Sequence, residues 1–186
     1  MMFDLLIPSS VVFHCMNQLK KYNFGQRGTA DGNYEQQLSG IVGESLVREA
    51  FALPLVDGST GYDDGYDILY YGLKIDVKTM GRTTTVKIDY VNNFIGLQKN
   101  NGADYYIFTS YNKKLNLLTI CGWLDKETLL STANFYKKDT IRKRDDGTTF
   151  KTFADLYEMS NDKLNQADDM QDLKNQLKKE GVEITL

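Results

Sequence analysis

The chain predicts an α/β domain, a mixed sheet flanked by helices. Residues 34–53 carry Leu38, Ile41, Val42, Leu46, Ala50 and Leu53 at helical spacing, so one apolar face is indicated. Residues 62–79, 104–111 and 115–123 are runs rich in Tyr, Ile, Leu, Val and Phe, bounded by Gly, Asn and Asp, and they read as strands. The expected order is helix, three strands, helix, strand, which packs as one layered unit.

Composition sets the outer limits. The chain has 186 residues, enough for one domain with a proper core, and its 41% hydrophobic and 25% charged residues are ordinary for a globular protein. We take 1–186 as a single domain with its core at about 34–123 and an elaboration at 124–186. No repeat, low-complexity tract or linker divides it. A net charge of −3 argues against a surface coated in cations, though not against a local basic groove over an acidic site. Cys15 and Cys121 have no zinc or redox spacing, which fits a reducing compartment. The first residues lack a basic, then apolar, leader, and no apolar run approaches the ~20 residues of a membrane span. The expected setting is the cytoplasm of a bacterium or of a phage-infected host, with no membrane partner.

Taken in order, residues 9–22 read as a helix capped by Ser9 or Ser10, with Val11, Val12, Met16 and Leu19 inward. His14 is the only histidine and reads as a packed or surface residue. Its solitude argues against His-dependent nuclease classes and multi-histidine zinc hydrolases. Residues 25–33 form a glycine-rich loop without the Lys-Ser/Thr ending of a phosphate-binding loop, and Arg27 reads as solvated there. Pro54 is expected to end the helix of residues 34–53. Glu44 lies at the edge of its apolar face, and Glu49, nearer the centre of that face, is its rival. Asp63 and Asp64 suit the turn leading into the hairpin, with Asp64 a second candidate for a metal site.

Residues 86–88 are expected to pair as a third strand. A helix over 90–99, with Phe94 and Leu97 inward, is expected to close at Gly102. Strands 104–111 and 115–123 follow, turning at Asn112-Lys113-Lys114. Asp125 caps a short helix to 133. Lys137, Lys138, Arg142, Lys143 and Arg144, interleaved with Phe135 and Tyr136, make the one concentrated basic stretch, suited to phosphates and bases or to plain solvation. Residues 150–159 read as a strand. Met170, Leu173 and Leu177 mark an amphipathic helix over 168–179.

The chemistry concentrates in the hairpin. Asp76 and Lys78 are two apart and share a strand face, while Ile75 and Val77 take the other. A tight reversal at Tyr71-Gly72 would set Asp67 opposite Asp76, with Cβ atoms roughly 4.5–5.5 Å apart. Tyr at a positive-φ position favours a looser turn, but an even shift keeps both aspartates on one face. Two carboxylates so close repel, and a hard divalent cation such as Mg2+ or Mn2+ relieves the repulsion. Lys78 beside them could polarise a water or balance charge on a phosphate.

Asp67, eight intervening residues and then Asp76-Val77-Lys78 resemble the signature of the PD-(D/E)XK nuclease superfamily, with Tyr66 where that motif often has proline. The resemblance implies a restriction-endonuclease-like αβββαβ core and Mg2+ (or Mn2+)-dependent hydrolysis of DNA phosphodiester bonds. It makes Asp67 and Asp76 metal ligands, joined by Glu44 from the preceding helix and the carbonyl of Val77, with Lys78 acting on the attacking water. It also sets Gln98 and Lys99 near the metal or the substrate backbone. With the basic stretch, the expected nucleic-acid contacts are Gln98, Lys99, Arg142, Lys143 and Arg144. Many members act as dimers, so a homodimer stays open. Two other readings stay open beside it: an inactive nucleic-acid- or protein-binding module on the same fold, and an RNA or nucleotide phosphodiesterase.

Overall fold

A computed structural model describes residues 1–25, 32–60, 65–143 and 147–184. In chain order these form β1 (Phe3–Leu6), α1 (Ser9–Lys21), α2 (Tyr34–Ala50), β2 (Ile68–Tyr70), β3 (Leu73–Arg82) and β4 (Val91–Ile95). They continue through β5 (Tyr105–Asn112), β6 (Leu117–Asp125), α3 (Lys126–Thr132) and β7 (Asn134–Tyr136). The rest is β8 (Ile141–Lys143), β9 (Thr149–Lys151), β10 (Leu156–Ser160) and α4 (Met170–Ile184).

The architecture is mixed α/β. A five-stranded sheet runs β1-β6-β5-β3-β2, with β3 and β5 parallel and the other neighbours antiparallel. A smaller sheet runs β4-β10-β7, and β8 and β9 form a separate hairpin. Alternation along β5 divides the interior in two. Tyr105 and Ile107 join the core shared with α1, α2 and α4, whereas Tyr106 and Phe108 join a second core with Phe94, Leu129 and Met159. Every residue of β5 is buried, as expected of a strand covered on both faces. The two cysteines lie apart, one in each core, as free thiols.

Local chemistry explains the element ends. Asn33 caps α2 reciprocally with Gln36: each backbone N–H donates to the other side chain at 2.9 Å. The helix stops at Ala50, short of Pro54, because Ala52 turns left-handed at φ 59°. Leu53 N–H then reaches back to the Arg48 carbonyl at 2.9 Å, closing a Schellman motif without glycine. Ala52→Gly is accordingly expected to raise stability by about 1 kcal/mol, read as a higher urea midpoint at unchanged m. At the start of α1, Pro8 occupies the N-cap and no side chain caps it, so neither Ser9 nor Ser10 has the expected role.

The largest departure from expectation lies between β3 and β5. Residues 90–99 form strand β4 and a single 3-10 turn, not a helix. Asn92 and Phe94 are buried and Val91 is exposed, a period of two that pairs β4 with β10, and Leu97 lies outward. Adjacent asparagines between Val91 and Ile95 weaken a helix while suiting a strand half-buried on another sheet. Residues 86–88 form no strand. The expected strand over 150–159 is split into β9 and β10. β1, not anticipated at all, pairs with β6 and is tied to it by Thr119 Oγ1 donating to Asp4 Oδ1 at 2.6 Å.

Helix α2, which carries Glu44, lies close against β3. Gly43 packs so near the strand that a Cβ there would overlap the Thr79 side chain, itself held by Thr109 Oγ1 at 2.9 Å. Gly43→Ala is expected to cost about 1–3 kcal/mol through overpacking, and pairing it with Thr79→Ala should recover part of that loss in thermal unfolding.

Candidate active site

The β2–β3 hairpin reverses through Tyr71 (φ 47°) and Gly72 (φ 84°), the tight turn that a tyrosine disfavours. Tyr71 tolerates it because its ring meets Tyr70 at 4.8 Å and lies under the Lys178 ammonium at 4.9 Å. Gly181 of α4 backs directly onto Tyr71, where a Cβ would meet the Tyr71 carbonyl oxygen at 2.5 Å. The resulting register pairs Ile68 with Ile75 and Tyr70 with Leu73, and Asp67 lies one residue before β2.

Asp67 closes the hairpin's open end. Its N–H donates to the Ile75 carbonyl at 2.9 Å, and its Oδ2 accepts from the Val77 N–H at 2.6 Å. The Asp67 carbonyl accepts from Arg48 Nη1 at 2.9 Å, and the same guanidinium nitrogen lies 3.7 Å from Glu44 Oε1. Arg48 thus ties the helix carboxylate to the hairpin, one turn along α2 from Glu44. Asp67 keeps some exposure as a residue, but its carboxyl is enclosed. That burial, then the charges of Glu44 and Asp76, hold its pKa well above the usual carboxylate range against the opposing pull of Lys78 and the Val77 N–H.

Asp76 is buried, and its Oδ2 accepts from Lys78 Nζ at 2.5 Å. The parallel pairing with β5 sets Tyr106 beside Asp76 and Phe108 beside Lys78. The Lys78 ammonium lies 5.9 Å from the centre of the Tyr106 ring. Burial, followed by the charge of Asp76, raises the Tyr106 pKa, and its hydroxyl is buried without a hydrogen-bond partner.

Glu44, Asp67, Asp76, Val77 and Lys78 all line one cleft of about 1040 Å³, which runs between α2 and β3 on one side and β4 with residues 150–156 on the other. Among the described residues, no three carboxylate, imidazole or thiol groups converge tightly enough to enclose a metal ion. The donor set nevertheless suits one. Burial first, then the charges of Glu44 and Asp76, raise the Asp67 pKa, while Asp76 is itself paired with Lys78 and Glu44 with Arg48. All-oxygen donors fit Mg2+ or Mn2+.

The other expected residues divide. Gln98 lines the cleft from the 3-10 turn, while Lys99 is exposed outside it. Arg142 donates to Glu158 Oε2 at 2.7 Å and stacks on Tyr136 at 3.5 Å, in a pair that does not line the cleft. Lys143 is exposed and does not line the cleft either. Glu49 is exposed in the last turn of α2, not beneath its apolar face. His14 Nε2 pairs with the Val56 carbonyl at 2.8 Å, a packing contact. Arg27, Asp63, Asp64 and Arg144 lie outside the described residues.

Four cleft or site residues had escaped the sequence. Arg48 was signalled by its spacing of four from Glu44. Asn92 and Asn93 were concealed by the helical reading of their segment, and Phe153 had no distinguishing pattern. Among the described residues no helix is long and apolar enough to cross a membrane. Comparison with protein-family models, with curated proteins and with solved structures returns no match.

Proposed function

We propose that the chain is a divalent-metal-dependent nuclease acting on DNA, built on a variant restriction-endonuclease-like core in which β4 replaces the second helix. One observation carries the reading: Glu44 of α2, Asp67 just before β2, and Asp76 and Lys78 of β3 line a single cleft. Bound by Glu44, Asp67 and Asp76 beside the Val77 carbonyl, Mg2+ or Mn2+ would supply Lewis-acid stabilisation of charge on the phosphate and the leaving oxygen. Lys78 offers N–H donors to an attacking water or a non-bridging phosphate oxygen, and Asp76 holds its ammonium at the site until it is displaced. Arg48 holds Glu44 and the Asp67 backbone in register.

The direct pairing of Lys78 with Asp76 favours a second reading, an inactive binding module in which that ion pair is structural. Labelled linear, circular and branched DNA, with RNA alongside, incubated with Mg2+, Mn2+ or EDTA, separates the two. Metal-dependent products support the nuclease and their pattern assigns the substrate. Binding without cleavage supports the module, and preferential RNA cleavage replaces DNA as substrate. Sedimentation with and without DNA tests for a homodimer.

A further inference from the structure

Helix α2 carries two glycines in its interior, Gly40 and Gly43, where glycine is the least favourable residue after proline. Gly43 has a reason within the chain, since a side chain there would overlap Thr79. Gly40 has none. A Cβ built at Gly40 meets no atom of the described residues within 4 Å. The residue is nevertheless half-buried, and it lines the cleft. Packing of the chain on itself therefore does not call for glycine at this position. Close approach of a ligand to the helix backbone does.

The position of Gly40 gives that ligand a direction. Gly40 lies one turn before Glu44 and Gln36 one turn before Gly40, so the three share a helix face, and all three line the cleft. The cleft continues past them to Tyr22 and Gly25, beyond the end of α1. A second, independent feature belongs to the β4 side. Gln98 lines the same cleft and is 9% exposed as a residue, yet its side-chain amide bonds no described residue. Unlike the Tyr106 hydroxyl, that amide is not sealed from solvent. A mostly desolvated amide without a partner suits an incoming polar group, and its N–H donors match phosphate oxygens.

Resting on the nuclease reading for its chemistry, we infer that a DNA strand leaves the carboxylates along α2, its sugar–phosphate backbone lying against bare helix at Gly40. A strand extends beyond the phosphate being cut, and the cleft is open in this direction. Any side chain at Gly40 would stand between the strand and the helix and hold the strand away from Glu44. Gly40 is thus a binding residue, and its role is to be absent as a side chain.

Gly40→Ala and Gly40→Leu carry the test, because both residues favour a helix. Each should raise the urea midpoint of unfolding, as a better helix former placed in open space does. Each should also weaken binding of labelled single-stranded and duplex DNA, read by fluorescence anisotropy in the Lys78→Ala background with Mg2+ so that turnover does not deplete the probe. The expected loss is at least about tenfold for Gly40→Leu and smaller for Gly40→Ala, with the metal-induced rise in melting temperature retained in both. In the otherwise wild-type chain, Gly40→Ala should slow metal-dependent cleavage by roughly tenfold or more, the effect of misplacing a substrate by about 1 Å. A glycine with a merely structural role would not couple a gain in stability to a loss of binding. Lower urea midpoints, unchanged DNA binding by Gly40→Leu, or loss of the metal-induced rise would each overturn the inference. Metal-dependent cleavage by wild type alongside any of those results leaves the nuclease standing without it. Gly40-dependent binding with no cleavage leaves the strand path standing on a binding module, and no DNA binding by the parent protein overturns both.

Discussion

Lys78→Ala is expected to lower metal-dependent DNA cleavage by roughly 10²–10⁴-fold, the range over which a positioned proton-transferring group contributes. Its ammonium lies 2.5 Å from Asp76 and opposes the rise in the Asp67 pKa. Metal affinity should move the other way. Lys78 competes with a metal ion for Asp76, so its removal leaves Asp76 without its paired cation and raises the gain from binding a metal there. Mg2+ or Mn2+ should therefore raise the melting temperature of Lys78→Ala more than that of wild type. A variant that loses metal binding in calorimetry would show that Lys78 organises the ligands instead of acting on the reacting groups.

Asp76→Ala should lose essentially all metal-dependent cleavage. Several kcal/mol of charge stabilisation depend on the metal, and about 4 kcal/mol is roughly a thousandfold in rate. The structure adds a complication that the hairpin pattern alone does not reveal. The side chains of Asp76 and Lys78 are 9% and 15% exposed, so truncating Asp76 leaves a mostly buried ammonium unpaired. Breaking such a pair costs up to about 3–5 kcal/mol. Asp76→Asn, which retains an oxygen acceptor for Lys78, is the cleaner variant, and it should lose cleavage while unfolding close to the wild-type temperature. Wild-type turnover by either variant would remove Asp76 from the site.

The hairpin was legible because its chemistry is local. Two turn residues separate matched strands, so the two-residue reversal at Tyr71-Gly72 and the nearness of Asp67 to Asp76 could be reached by counting. Even the expected objection to Tyr71 was physically sound, and it is met by Tyr70, Lys178 and Gly181, of which the last two arrive from α4 more than a hundred residues later. Such long-range support has no local signal. The same limit explains β4. Phe94 and Leu97 match a helical face, and only the partner strand β10 reveals that Asn92 and Phe94 are the inward residues. With that segment read as a helix, its asparagines passed as polar surface, and the whole far wall of the cleft was hidden. Glu44 emerged from the edge of a helical face. Arg48, which holds it, required knowing that the chain returns at Asp67.

Comparing wild type and Lys78→Ala on labelled linear, circular and branched DNA, each with Mg2+, Mn2+ or EDTA, tests the nuclease reading at its centre. Products are expected with wild type and either metal, none with EDTA, and at least a hundredfold slower cleavage by the variant. Equal cleavage by both proteins, or none by wild type under any metal, would contradict that reading.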